Sequence, residues 1–432
     1  MPYERLRQEE IQLERKCKPI STLILYIKIY RIGKRYNKML KSWKIYILAI
    51  VSFLVGTSEF VIAGILDLVS RDVGVTIATA GQLISVYSIA YAVGTPILIA
   101  ATSKISRRKL MLAALALFFI GNLITVVTNG YAMLVGARVI LALSTGVFTV
   151  VALTVSAQIA GPGKQGTAIA TIMMGFNLSL ILGVPLGRVI ASTYDWKVIF
   201  YGIGLLSFIA MLVISFTIPK SKGEANVPLR EQLALLKNPQ LLLTLSISFF
   251  WMVGYTIIYT FITPFLLNIT GMSNSMVSIS LFAFGIASLL GAQAGGYGAD
   301  KLGIPRTLNG SLIIHAGILL LMTVFAHSSI AVFPLLLLWS FFAWFTGPVQ
   351  QVYMIGLAPS ASGILLSLNT SFIQSGIAVG AVVGGVVVES FSLQSIGVAG
   401  AIGVAVALLP AIISLSMRSQ SANGIGPAAG KQ

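Results

Sequence analysis

The chain has 432 residues, 56% of them hydrophobic and 9% charged, with a mean hydropathy of +0.93. Soluble globular domains run near half apolar and about a quarter charged, so a water-soluble enzyme or binding module is excluded and an integral membrane protein is implied. The formal net charge of +17 does not call for nucleic acid, because the Lys and Arg residues sit in a tail and in short segments between apolar runs, as membrane topology requires.

In chain order, residues 1–42 form a basic tail holding eleven Lys/Arg against four Glu. Its apolar run "ISTLILYIKIYRI" (20–32) is too short to span and is broken by Lys28 and Arg31, which leaves an interfacial helix or a dispensable extension over 1–38. Apolar runs of the length a helical crossing needs, about 20 residues, then fall near 44–66, 81–102, 110–128, 132–157, 167–190 and 197–218. A polar linker follows at 219–240, and a second set falls near 241–266, 276–298, 307–326, 331–356, 364–388 and 395–417 before a short tail at 418–432. The expected architecture is an all-α integral membrane protein with two six-helix halves, 43–218 and 241–417.

Lys and Arg mark one side of these spans: the tail, "SKISRRK" (103–109), Lys164, the linker, Lys301, Arg306 and Arg418. The other side carries little beyond Arg71, Arg188 and Lys197, so both termini are expected in the cytoplasm. Cys17 is the only cysteine, and His315 and His327 stand apart; no disulfide, metal site or cofactor is expected. No phosphate loop of the ATP-driven type is found, and an enzyme is not expected.

Two polar features lie inside the apolar runs. Glu59 stands about 20 Å from the inner end of the first span, and Arg138 about six residues inside the fourth from its outer end, which puts both roughly 10 Å below the outer edge of the membrane core. A lone charge there costs about 2.5–3.5 kcal/mol or more, so both should face the bundle interior and pair, directly or through water. Burial favours the neutral acid and the guanidinium favours the carboxylate, so such a group can exchange a proton. A fixed ion pair that only joins helices is the alternative. Gly56 and Ala63 leave room around Glu59. Asp67, Asp72, Asp195 and Glu389 read as solvated span ends, with Asp67 a second, weaker coupling acid. Candidate contacts for a small-molecule substrate are Asn177, Tyr255, Tyr259, Gln350, Gln351, Asn369 and Gln374, with packing against lipid the alternative for the aromatic rings and an interhelical hydrogen bond the alternative for Asn369 and Gln374.

The halves leave a trace of duplication. "GYGADKLG" (296–303), followed by Arg306, corresponds to "IAATSKIS" (99–106), followed by "RRK", with Asp300 over Ser103 and Gly303 over Ser106. The second copy resembles the loop signature of the major facilitator superfamily; the first departs at its Gly and its Asp, as in the branch of bacterial drug:proton antiporters that includes purine-base and arabinose exporters. "RVILALSTG" (138–146) resembles the Arg-containing motif of that branch, and "GFNLSLILGVPLG" (175–187) its antiporter motif, carried here by Gly175, Gly183, Pro185 and Gly187. "GTSEF" in the first span, "FGIA" in the eighth and "NTSFIQSGIAVG" in the eleventh also look like purine and sugar exporters.

The resemblance implies twelve helices in two pseudo-symmetric halves and a monomeric, proton-coupled exporter in a bacterial cytoplasmic membrane. Glu59 and Arg138 would couple the proton. Ser103, Arg107, Arg108, Gly296, Asp300, Lys301 and Gly303 would form an unequal cytoplasmic latch, and the glycines of the fifth span would seal one pathway. Purine bases or nucleosides are the first expectation for the cargo, with sugars or assorted drugs as alternatives and a non-transporting membrane sensor as the alternative of another class.

Overall fold

The computed structural model describes residues 43–102, 104–160, 164–218 and 234–423, apart from the side chains of 360, 362 and 418–423. The interfacial reading of the tail, Ser103, most of the linker and the side chain of Arg418 lie outside the described residues. Twelve helices are long and apolar enough to cross a membrane: α1 Trp43–Gly64, α2 Ile77–Ala101, α3 Arg107–Val126, α4 Tyr131–Ala160, α5 Gln165–Thr193, α6 Lys197–Thr217, α7 Pro239–Tyr259, α8 Asn274–Leu302, α9 Ile304–Val324, α10 Ser329–Leu357, α11 Gly363–Ser390 and α12 Ile396–Met417. Most ends fall within a few residues of the expected runs. The largest shift is in α7, which breaks at Thr260 and Phe261 before resuming as Ile262–Pro264 and a wide π-helical turn, Phe265–Ile269.

The helix ends follow from local chemistry. Thr76, Asn238, Ser273 and Ser328 each cap a helix by accepting from backbone N–H groups of its first turn, which satisfies donors that have no helical partner. Gly303, at φ +80, supplies the left-handed residue that lets α8 stop and α9 start at once. In α5, Pro185 has no N–H for the carbonyl four residues back, and the helix widens just before it into a π-helical turn, Ser179–Gly183, where Val184 N–H bonds to Ser179 O.

The two halves repeat one another. α3 packs on α4 and α6 as α9 packs on α10 and α12, and α2 packs on α4 as α8 does on α10. Glycines set the close approaches: a Cβ on Gly175 would strike the Ala49 carbonyl of α1, and one on Gly376, Gly380 or Gly384 would strike the carbonyl of Phe249, Val253 or Ile257 of α7. Without a hydrophobic drive inside lipid, such backbone contact is what holds helix pairs together.

The halves meet along α2 with α11 and along α5 with α8. One end of the bundle carries Lys104, Arg108, Lys109, Lys164, Lys301 and Arg306 and is termed here the basic end. Among the described residues, hydrogen bonds from Thr76 to Glu389, from Arg188 to Asn274 and from Gln374 to Glu59 cross between the halves. The first two lie at the opposite end and the third partway down, and the helix approaches at Gly175, Gly291 and Gly295, nearer the basic end, run within one half. Two of these bonds thus join the halves at the end away from the basic loops.

Candidate functional site

Glu59 sits five residues before the end of α1 and is buried, at 7% exposure. Its two carboxylate oxygens are addressed from opposite halves: Gln374 Nε2 of α11 donates to Oε1 at 3.0 Å, and Tyr87 Oη of α2 donates to Oε2 at 3.4 Å. Arg138, 1% exposed, reaches the same level from α4, as the depth arithmetic requires. It does not form an ion pair with the carboxylate. Its Nη1 donates to Ser58 O at 2.9 Å, its Nη2 to Glu59 O at 3.2 Å and its Nε to Leu83 O at 3.5 Å, and its guanidinium lies 4.3 Å from the Tyr87 ring centroid. Of the two forms of pairing expected, direct or through water, the direct one is not present: a planar fork of donors is spent on backbone carbonyls of α1 and α2 and on one aromatic face. The fixed ion pair weighed as the alternative is therefore not the arrangement present. Arg138 holds the helix turn that carries the acid, while the carboxylate itself keeps only neutral donors.

Gly56 does not make room beside Glu59 as expected; it lets α5 approach, and a Cβ there would meet Ser179 Oγ. A cluster of rings forms in the other half. Tyr255 and Tyr259, one helical turn apart on α7, stack with centroids 5.1 Å apart; Trp339 lies 5.4 Å from Tyr255, Phe284 lies 5.8 Å from Tyr259, and these two rings are 5.1 Å from each other. Trp339 Nε1 donates to Nε2 of buried His315 at 2.9 Å, so this histidine anchors the wall from behind. Tyr87 and Tyr91 add a second pair of rings from α2.

The remaining candidates divide. Gln374 belongs to the centre. Gln350 and Asn369 do not: Asn369 Oδ1 accepts from Ser248 Oγ at 2.7 Å and Gln350 Nε2 at 3.4 Å, and the same Nε2 donates to Thr244 O at 3.0 Å. That network ties α7, α10 and α11 together within one half, the interhelical role that was the alternative reading of Asn369. Asn177 is half-buried on α5 and Gln351 is exposed on α10.

The expected sealing role of the fifth-span glycines is also revised. Gly175, Gly183 and Gly187 face Ala49, Thr57 and Val61 of α1, inside their own half. The surface that meets the other half includes the π-helical turn, where the Leu180 carbonyl and Ile181 leave no room for a Cβ on Gly285 of α8, and the stretch after it that carries Arg188. Pro185 contributes by widening that turn. Of the motif residues at the basic end, Arg107 is buried, Arg108 and Gly296 are half-buried, and Asp300 and Lys301 are exposed in the last turn of α8.

A second polar site was read from the sequence as solvated ends. Asp67, in the short helix Leu66–Asp72 that continues α1, and Arg188 of α5 are buried with side-chain exposures of 5% and 1%. Arg188 Nη1 and Nη2 donate to Asp67 Oδ1 and Oδ2 at 2.5 and 3.2 Å, and Nη2 also donates to Asn274 Oδ1 of the other half at 2.6 Å. The available signal was the position of Arg188 inside an apolar run rather than beyond it. Asp72, by contrast, is a surface partner of Lys197 at 3.3 Å, and Asp195 and Glu389 are exposed at helix ends. Among the described residues, no three His, Cys, Asp or Glu side chains come together to hold a metal ion.

Two six-helix halves meeting around a buried acid that both of them contact are the build of a membrane transporter. A family model described as the Major Facilitator Superfamily matches residues 48–380, and the chain belongs to that superfamily. It is 50% identical over 384 residues to the MFS-type transporter YbcL of Bacillus subtilis (strain 168), covering 89% of this chain and 98% of that one. It is 30% identical over 374 residues to the inner membrane transport protein YdhP of Escherichia coli (strain K12), covering 86% and 95%. Among solved structures, a bacterial homologue of the human lysosomal transporter Spinster, in an inward-facing and unoccupied conformation, superposes with a TM-score of 0.72 at 15% identity over 87% of this chain and 97% of that one.

Proposed function

We propose that the protein is a proton-coupled antiporter that exports purine bases or nucleosides across a bacterial cytoplasmic membrane by alternating access. The observation that carries this reading is Glu59: a buried carboxylate contacted from both halves, with the neighbouring arginine turned to the backbone instead of neutralising it. An acid held only by neutral donors can gain and lose a proton without breaking an ion pair, and its protonation changes the energy of contacts between the halves. With the basic end in the cytoplasm, as the loop charges favour, both termini are cytoplasmic. The end joined by the Thr76 to Glu389 and Arg188 to Asn274 bonds then lies outside, so the arrangement described here is the one that receives cargo from the cytoplasm. Proton and cargo compete for the same site, and the motif around Asp300 and Lys301 latches the basic end in the opposite state.

The stacked Tyr255 and Tyr259 favour a flat heterocycle over a sugar, since ring faces offer stacking area and few polar atoms. The test is uptake of radiolabelled hypoxanthine into inverted membrane vesicles, with and without a proton gradient. Gradient-driven uptake by the wild type that disappears in Glu59→Gln is the expected result; equal uptake by both removes Glu59 from the coupling step, and none by the wild type removes the purine assignment.

A further inference from the structure

We propose that Gln374 is the positioning residue that carries the protonation state of Glu59 across the interface between the two halves. This rests on the proton-coupled reading above. Among the described residues, the hydrogen bond from Gln374 to Glu59 joins the halves with both of its side chains buried. Its donor is an amide with two different ends. Nε2 donates to Glu59 Oε1, while Gln374 Oε1 is buried with no hydrogen-bond partner. An unpartnered buried acceptor is costly to keep, and here it lies on the same amide as the donor to the carboxylate.

The chemistry of the two groups explains why. An ionised carboxylate only accepts, whereas the protonated acid must also donate. With Glu59 ionised, the Nε2 donor makes a charge-assisted bond, about twice as strong as a neutral one, and clamps α1 to α11. When a proton adds to Glu59, that bond loses its charge and the new O–H needs an acceptor. Turning the Gln374 amide over presents Oε1 to it. The clamp therefore has a strong form and a weak form, selected by one proton, and the weak form lets the halves part at this level.

The other groups near Glu59 do not supply this. Tyr87 and Arg138 belong to the same half as Glu59 and bond or stack within it. Tyr91 of α2 and Tyr259 of α7 lie within electrostatic reach of the carboxylate. Asp67 and Arg188 are engaged with each other towards the far end, and Glu389 is held by Thr76.

The experiment needs no substrate. In a Cys17→Ser background, spin labels at Lys109 and Arg306, both exposed at the basic end of opposite halves, report the separation of the halves in lipid nanodiscs at acid and alkaline pH. The wild type should shift between two distance populations with pH, while Glu59→Gln, Gln374→Met and Gln374→Asn should each lose that shift. Gln374→Met keeps the volume but has neither donor nor acceptor; if it does not fold, Gln374→Asn, which keeps the amide but not the reach, carries the comparison. A normal pH shift in the folded Gln374 variants, with Glu59→Gln silent, overturns the role of Gln374 alone. A wild type without a pH shift, or a Glu59→Gln that keeps it, overturns both this proposal and the proton reading of Glu59.

Discussion

Replacing Asp67 by leucine would strand the guanidinium of Arg188 in a site where it is 1% exposed. Of its four acceptors, two are the oxygens of Asp67; the remaining ones are Asn274 Oδ1 and the Gly64 carbonyl at 3.4 Å. Neither carries a charge to offset the arginine. Breaking a buried pair from one side costs about 3–5 kcal/mol, whereas replacing both charges by apolar residues of similar volume is often neutral or stabilising. Asp67→Leu and Arg188→Met should therefore each destabilise the protein by about 3–5 kcal/mol, and the double variant should recover most of that loss, a coupling of about 3 kcal/mol or more. Equilibrium unfolding of the detergent-purified protein, followed by tryptophan fluorescence, measures all four corners of the cycle. Single variants that cost less than about 1 kcal/mol, the range of exposed pairs, or a double variant whose loss is the sum of the singles, would refute the reasoning.

Arg138→Lys puts a single ammonium where a planar fork now serves Ser58 O, Glu59 O and the Tyr87 face, and should cost about 1.5–3 kcal/mol in the same unfolding measurement; an unchanged midpoint would contradict this geometry. Two glycines of α8 should behave oppositely. Gly291→Ala drives a Cβ into the Phe341 carbonyl of α10 and should destabilise by about 1–3 kcal/mol. Gly296 has no atom within 4 Å of an added Cβ, so Gly296→Ala should be neutral or stabilising by up to about 1 kcal/mol, read as a shift in the unfolding midpoint.

The twelve crossings were legible because an apolar run of spanning length has few other uses, and the shared depth of Glu59 and Arg138 followed from helical rise alone. What depth cannot give is the direction in which a side chain points. Asn369 and Gln374 are both amides in the middle of α11, but five residues place them about 140° apart around a helix. One therefore faces α7 and α10 and locks its own half, while the other crosses to Glu59. Arg188 was misread for a related reason: counted by its closeness to a span end, it looked like a loop charge. The short helix after α1 instead brings Asp67 back beside it. The fifth-span glycines showed that a close approach exists without showing against which helix, and the answer was α1 rather than the opposite half.

The most direct test of the central claim is proton release from the purified protein on adding hypoxanthine in weakly buffered solution, compared between wild type and Glu59→Gln. If cargo and proton compete for one site, the wild type should release protons as the ligand saturates and Glu59→Gln should release none. Ligand binding without proton release in the wild type, or the same release in both, would contradict coupling through Glu59.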